Sequence, residues 1–472
     1  MTCLCAFSSP LSGWWRVISV PTLVLIFLQV AIAQQPQTEM LTVEQAVAAA
    51  VKKYPSVRVS TAQVNAAIAG IRLARTAYLP RFDATAGVNR ATRNNVLGLL
   101  LPSQVIAPIS GPVLGTNGLG NAWGSTVGLL VSWEPFDFGL RGANVAVAEA
   151  ARTRAQAAVA RTQFDVSTMT ADAFLSVLAA EQTVTAAQAA VARSNTLIEV
   201  VNALVRAELR PGAESSLARA EQAAAQAQLI QAETAVNEGK ATLAALLGLD
   251  PSRVTLSAGR LLALPQPIAD VVDSKNHPLA IEQNAATEEA RARLRVVDRS
   301  YVPRFSLQGT TYARGTGALP DGRLLGGVNG LGPNIQNWGV GFTATFPVFD
   351  LPAIRARRQA ETAHIEVESG RYEQVITDLT GRRNAALASL EGARRLAQTT
   401  PVQVEAARAA VNQATARYQS GLGVALDVAD AQRRLSQAEI DDALARLSVW
   451  RARLALAVAD GDIAPLVHEA SQ

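Results

Sequence analysis

From about Arg141 to Leu209 the chain runs without a proline, and Ala, Gln, Glu, Arg, Val and Leu dominate. Nearly 70 residues of helix would reach about 105 Å at 1.5 Å per residue. No globular domain can enclose such a rod. A second long helical stretch, from about Ala353 to Gln419, is interrupted by Pro401, where the missing N–H predicts a kink or local break.

The two stretches belong to a duplication. "AYLPRF" (Ala77 to Phe82) returns as "SYVPRF" (Ser300 to Phe305), and the same offset of 223 aligns Pro55 with Pro278. "NAWG" (121–124) is answered by "QNWG" (336–339), and "EPFDFG" (134–139) by "FPVFDL" (346–351). "GAESSLARAEQ" (212–222) stands opposite "GVALDVADAQ" (423–432). Two units of roughly 41–250 and 276–461 follow, and a repeat near 200 residues means a doubled half-domain rather than a solenoid. Each unit reads helix, strand, long loop, strand, very long helix, turn, helix. The predicted bounds are a first repeat over 34–250, a linker over 251–275 and a second repeat over 276–472.

Strands are predicted at about 81–92 and 121–133, then at about 304–314 and 337–347. Trp338, Val340, Phe342, Ala344 and Phe346 alternate with Gly339, Gly341, Thr343 and Thr345, the period-two signature of a strand. One file is apolar and ends in Trp or Phe, while the other is small and hydroxylated. That suits a strand with lipid on one side and water on the other, although a half-buried strand of a soluble sheet also alternates. Three of the four tryptophans beyond residue 33 lie in these strands, which favours the barrel. The joining loops, 93–120 and 315–335, are long and rich in Gly, Asn and Pro.

The first 33 residues read as a signal peptide: Arg16, an apolar run from Val17 to Val30, then an Ala31-x-Ala33 cleavage site. The run is short of the roughly 20 residues that span a bilayer. Both cysteines, Cys3 and Cys5, precede it, so the mature chain is expected to lack thiols. Setting Arg16 aside from 43 Lys and Arg leaves 42 against 39 Asp and Glu, a balance that argues against nucleic acid as partner. No later segment is apolar enough for a transmembrane helix, so membrane residence requires a β-barrel.

Shorter helices are expected over Pro55 to Ala77, Gly212 to Leu247, Leu279 to Ser300 and Val424 to Val458, each pair lying end to end beside a long helix. Gly370, Gly381 and Gly392 recur every 11 residues, either as a seam against a neighbouring helix or as tolerated glycines. Four strands cannot close a membrane barrel, whose smallest members have eight. The chain must therefore oligomerise, and strand counting alone allows a dimer or a trimer.

Taken together, the doubled Tyr-x-Pro motifs, "PFDFG" ahead of a long helix and "RYQSGLGVALDVADAQ" (Arg417 to Gln432) resemble the TolC family of outer membrane efflux channels over essentially the whole mature chain. The resemblance implies a mainly α fold with a membrane β-barrel. It also implies a homotrimer, with four strands per chain in a twelve-stranded barrel and antiparallel coiled-coil helices forming a periplasmic tunnel. Implied partners are the chain itself, a periplasmic adaptor, an inner-membrane pump and outer-membrane lipid, with no cofactor and no metal. Tyr78, Pro80, Tyr301 and Pro303 would mark the helix-to-strand junctions, where proline disfavours continued helix.

By the same resemblance Asp427 and Asp430 match aspartates that narrow the tunnel at its tip, where crowded carboxylates attract cations. They are also residues favoured at a helix start, and both roles can hold. Tyr418 matches a tyrosine of the closed tip; its aspartate partner would fall at Ser216 and a latch arginine at Gly423, so that Arg417, Arg210, Glu214 or Arg219 are the alternatives for gating. Gly421 and Leu422 match the adaptor contact, with Pro211 and Gly212, inside "RPGAE" (Arg210 to Glu214), taking their place in the first unit. His277, His364 and His468 sit on no metal-ligand spacing, and no phosphate-binding glycine loop is present, so an enzyme is not expected. The rival readings are an outer membrane conduit for type I protein secretion and a periplasmic coiled-coil adaptor or scaffold.

Overall fold

The computed structural model describes residues 40–92, 119–265, 274–319, 321, 323–346 and 348–472. The expected signal peptide, nearly all of the 93–120 loop and part of the 251–275 linker lie outside them.

Thr42 opens α1 (Val43–Lys53) with a reciprocal cap, its Oγ1 accepting from Gln45 N–H at 3.3 Å while its own N–H donates to Gln45 Oε1 at 3.0 Å. Tyr54 then breaks the helix because Pro55 holds it extended, ψ 131°, and α2 (Pro55–Thr76) begins afresh. After it come β1 (Arg81–Thr92), β2 (Asn121–Phe136), α3 (Leu140–Arg206) and α4 (Gly212–Leu247). The second unit repeats the order as α5 (Pro278–Arg299), β3 (Arg304–Thr316), β4 (Ile335–Thr345), α6 (Leu351–Gln419) and α7 (Ala425–Asp460), and α8 (Ala464–Ser471) follows. Neither α1 nor α8 is announced by the sequence as a separate helix.

The long helices α3 and α6 hold 67 and 69 residues, about 100 Å each. Against α3 pack α2 and α4; against α6 pack α5 and α7, and the two sets meet through α3 with α5 and α7. Of the kink or local break expected at Pro401, the break does not occur: α6 is continuous through it. Beside it, buried Thr400 donates to Asp442 Oδ1 of α7 at 2.8 Å, which ties this turn to its neighbour. A seam at Gly370, Gly381 and Gly392 is absent within the chain, since a Cβ at any of them would meet nothing within 4 Å.

The largest core forms where α1, the middle of α3, the ends of α4 and α7, and α8 converge, around Phe174, Leu178, Leu243, Leu247, Leu447 and Trp450. Trp450 pays the polar cost of burial by donating to Ala263 O at 2.8 Å. His277 caps α5 there, its Nδ1 accepting from Leu279 N–H and its Nε2 contacting Val458 O, each at 3.0 Å. Gly461 ends α7 at φ 84°, where a Cβ would lie 2.9 Å from the His277 Cα.

The four strands form one antiparallel sheet in sequence order. Directly opposed residues share a face. Phe82 opposes Val131, Trp133 opposes Leu307, Leu307 opposes Phe342, and Thr311 opposes Trp338. On the other face Thr85 opposes Gly128, Ser132 opposes Gln308, and Ser306 opposes Thr343, with Leu130 an apolar exception. The large apolar side chains of the first face stay uncovered within the chain; Trp338 is 81% exposed. No helix among the described residues is long and apolar enough to cross a membrane.

Candidate functional site

Two turns close the far ends of the long helices, and they share one geometry. After α3, Ala207, Glu208 and Leu209 donate back to Ala203, Val205 and Leu204; after α6, Ser420, Gly421 and Leu422 donate to Ala416, Tyr418 and Arg417, all at 2.9 to 3.2 Å. The left-handed position is Gly421 (φ 81°) in one turn and Glu208 (φ 55°) in the other. Glycine adopts it freely, whereas glutamate there is strained. Leu209 and Leu422 therefore occupy equivalent sites, 70% and 75% exposed. This corrects the sequence register: the first-unit counterpart of Gly421-Leu422 is Glu208-Leu209. Pro211 and Gly212 are instead the N-cap and first residue of α4, opposite Val424 and Ala425.

Tyr418, on the last turn of α6, is only 2% exposed and packs with Leu197, Val201, Ala218, Val428 and Ala429. Its hydroxyl donates to Glu214 Oε2 of α4 at 2.9 Å. The Arg210 guanidinium lies 4.9 Å over the phenol ring and 3.8 Å from Glu214. It also donates to the carbonyls of Gly423 at 2.9 Å and Tyr418 at 3.3 Å. Burial, then the hydrogen bond and charge of Glu214, push the phenol up to about 12, with Arg210 acting against them.

Ser216, where the carboxylate partner of Tyr418 was expected, is exposed and makes no side-chain hydrogen bond among the described residues. Glu214 takes that place from two residues earlier. Arg210 reaches Gly423 from the opposite turn and supplies the cation that position lacks. Arg417 is exposed and contributes only its carbonyl, to Leu422, while Arg219 is turned toward Ser215 Oγ at 3.4 Å.

Asp427 and Asp430 lie on the first two turns of α7. The Asp427 carboxylate is exposed and only 3.5 Å from Val424 N, a weak reach back to the helix start. Asp430 is ion-paired with Arg433, whose Nε is also 3.3 Å from Glu221 of α4. One carboxylate of the pair is thus exposed without an ion pair and the other is partly neutralised.

At the opposite ends, Tyr78 and Pro80 lie between α2 and β1, and Tyr301 and Pro303 between α5 and β3. The first junction is locked by Arg141, buried against Asp137 at 3.1 Å, donating to Ala77 O and stacked 4.8 Å over Tyr78. Trp133 Nε1 donates to Tyr78 O at 3.1 Å. Glu214 is among the gating alternatives the sequence offers, whereas Arg141 does not stand out there, although "PFDFGLR" holds the Asp-x-x-x-Arg spacing that could have revealed it. Among the described residues no group of His, Cys, Asp or Glu has the arrangement of a metal site.

The family model described as outer membrane efflux protein matches residues 46–249 and 274–462. The cobalt-zinc-cadmium resistance protein CzcC of Cupriavidus metallidurans is 27% identical over 308 residues, covering 64% of this chain and 69% of that protein. The pyoverdine export outer membrane protein OpmQ of Pseudomonas putida is 30% identical over 268 residues, 55% of this chain and 54% of its own. The crystal structure of the outer membrane protein VceC of Vibrio cholerae aligns with a TM-score of 0.69 at 18% identity, over 89% of this chain and 96% of that one.

Proposed function

The chain belongs to the outer membrane efflux protein family, and from that premise we propose that three copies assemble into a channel-tunnel that carries small molecules across the periplasm and the outer membrane as the outer component of a tripartite efflux pump. Three copies of the four-stranded sheet give twelve strands, an even antiparallel set that can close.

The observation that carries this reading is the partition of the sheet. Its apolar face runs from Trp123 near one end of β2 to Trp133 near the other, ten residues or about 34 Å along the strand. At a tilt of about 40° that is an apolar band close to 25 Å tall with aromatic borders, the height of an outer-membrane barrel. The polar face then lines water, and the helices, about 100 Å long, continue the conduit through the periplasm.

The paired turns form the periplasmic tip. Leu209 and Leu422, both uncovered and equivalent in place, carry the adaptor contact together with Gly421. The Tyr418, Glu214 and Arg210 cluster ties α6 to α4 and holds the tip contracted; Asp427 faces the axis and attracts cations, while Asp430 is tempered by Arg433. Energy comes from the inner-membrane pump.

Single cysteines test the barrel directly, because the described residues contain none. Val340→Cys should react only with a lipid-soluble maleimide, and Gln308→Cys with a membrane-impermeant one. Equal labelling of both by the impermeant reagent would contradict the membrane barrel.

A further inference from the structure

We propose that Arg314 forms a ring of three guanidinium groups in the outer half of the barrel lumen and makes that half selective for anionic solutes. The inference rests on the trimeric-barrel reading and deepens it by naming a solute class. Its placement comes from strand register. On β3 the residues Arg304, Ser306, Gln308, Thr310, Tyr312 and Arg314 share one side, because they alternate with Phe305 and Leu307 of the apolar face. Arg314 opposes Thr126 on β2 and Ile335 on β4.

The charges on this water-facing side are few. At the periplasmic end Arg81 is paired with Asp83 at 2.9 Å, and Arg304 and exposed Glu134 lie at that same end, Glu134 within the irregularity between Trp133 and Phe136. Those four groups balance. Toward the outer end Arg314 is the one charged side chain on the polar face of the described strands, and no acid among the described residues forms an ion pair with it. The nearby loop acid Asp321 is held by its own Arg323 at 2.7 Å. Ten residues separate Arg304 from Arg314, about 33 Å of strand, so the two ends of the lumen act separately at physiological ionic strength.

Threefold symmetry places three such guanidiniums at one height, and rings of arginine are how anion pores select their ions. A guanidinium also engages carboxylate or phosphate with two parallel hydrogen bonds. Solutes bearing carboxylate, sulfonate or phosphate groups are therefore drawn into the exit half of the barrel, and bare divalent cations are disfavoured there.

The test is the reversal potential of the purified protein in planar bilayers under a KCl gradient, for wild type, Arg314→Gln and Arg314→Lys. Arg314→Gln should lower the chloride-to-potassium permeability ratio by about twofold or more, and Arg314→Lys should keep the wild-type value. Reversal potentials for Arg314→Gln that match wild type would overturn the anion ring while leaving the channel intact. A trimer that conducts no ions even when Tyr418→Phe loosens the tip would overturn the channel reading, and the ring with it.

Discussion

The Tyr418 hydroxyl donates a 2.9 Å hydrogen bond to the Glu214 carboxylate, joining the end of α6 to the start of α4. Around it Arg210 closes a triangle of phenol, carboxylate and guanidinium, so one contact carries both a packing and an electrostatic link between the two helix pairs.

Loosening this link should open the tip. A hydrogen bond to a charged group contributes about 1.5–3 kcal/mol. Tyr418→Phe and Glu214→Gln are each expected to raise single-channel conductance, and the double variant to add little beyond either, because the two residues act as a unit. Conductance that stays at the wild-type value in all three would remove the cluster from gating.

The same contact sets a titration. Tyr418 should stay protonated until about pH 12, so the stability that the neutral phenol contributes is present below pH 10 and lost as pH rises through 10 to 12. The ultraviolet difference titration between wild type and Tyr418→Phe isolates this group. In Glu214→Gln the curve should move toward the ordinary value near 10; a midpoint near 10 already in wild type would contradict the buried, hydrogen-bonded phenol.

Glu208 stores strain that Gly421 avoids. Replacing Glu208 with Gly should stabilise the protein by about 1 kcal/mol, and Gly421→Ala should destabilise it by a similar amount. Midpoints of urea unfolding of the detergent-solubilised protein check both signs.

Much of this architecture is legible in the sequence, and its failures have physical causes. Period-two alternation at Trp338 to Phe346 announces a strand because one face must be apolar, and the long proline-free stretch announces α3 because little else can be built from it. At Pro401 the break does not occur, since α6 runs on through it where Thr400 bonds Asp442 of α7. The partner of Tyr418 is misplaced at Ser216 because transfer by position assumes a fixed register, whereas Glu214 reaches the phenol from half a turn earlier. The tip turn is likewise hidden in the first unit, where glutamate occupies a conformation that usually advertises itself as glycine.

His277 gives the core a pH response. Burial outweighs the hydrogen bond to Val458 and the charge of Asp165, with Arg382 and Arg161 also opposing protonation, so the imidazole is held below its ordinary value. The folded chain then binds fewer protons than the unfolded one, and stability falls as pH drops below about 6.5. Thermal midpoints between pH 7 and 5 should fall more steeply in wild type than in His277→Gln.

At the tip the two aspartates should not be equal. Asp427→Asn is expected to reduce cation preference and blockade by multivalent cations, because its exposed carboxylate is in no ion pair and accepts only a 3.5 Å bond from Val424 N–H. Asp430→Asn leaves Arg433 paired with Glu221 alone and should shift selectivity toward anions less than Asp427→Asn does, because Asp430 is already partly neutralised. Removing both with Ala should abolish blockade; single-channel recordings unchanged by the double substitution would place the pair away from the pore.

The assembly itself is tested by the native mass of the protein extracted with detergent from isolated outer membranes. A mass of three chains is the result expected if twelve strands, four from each copy, close the barrel as proposed. A monomer or dimer recovered from the soluble periplasmic fraction would contradict the twelve-stranded tunnel.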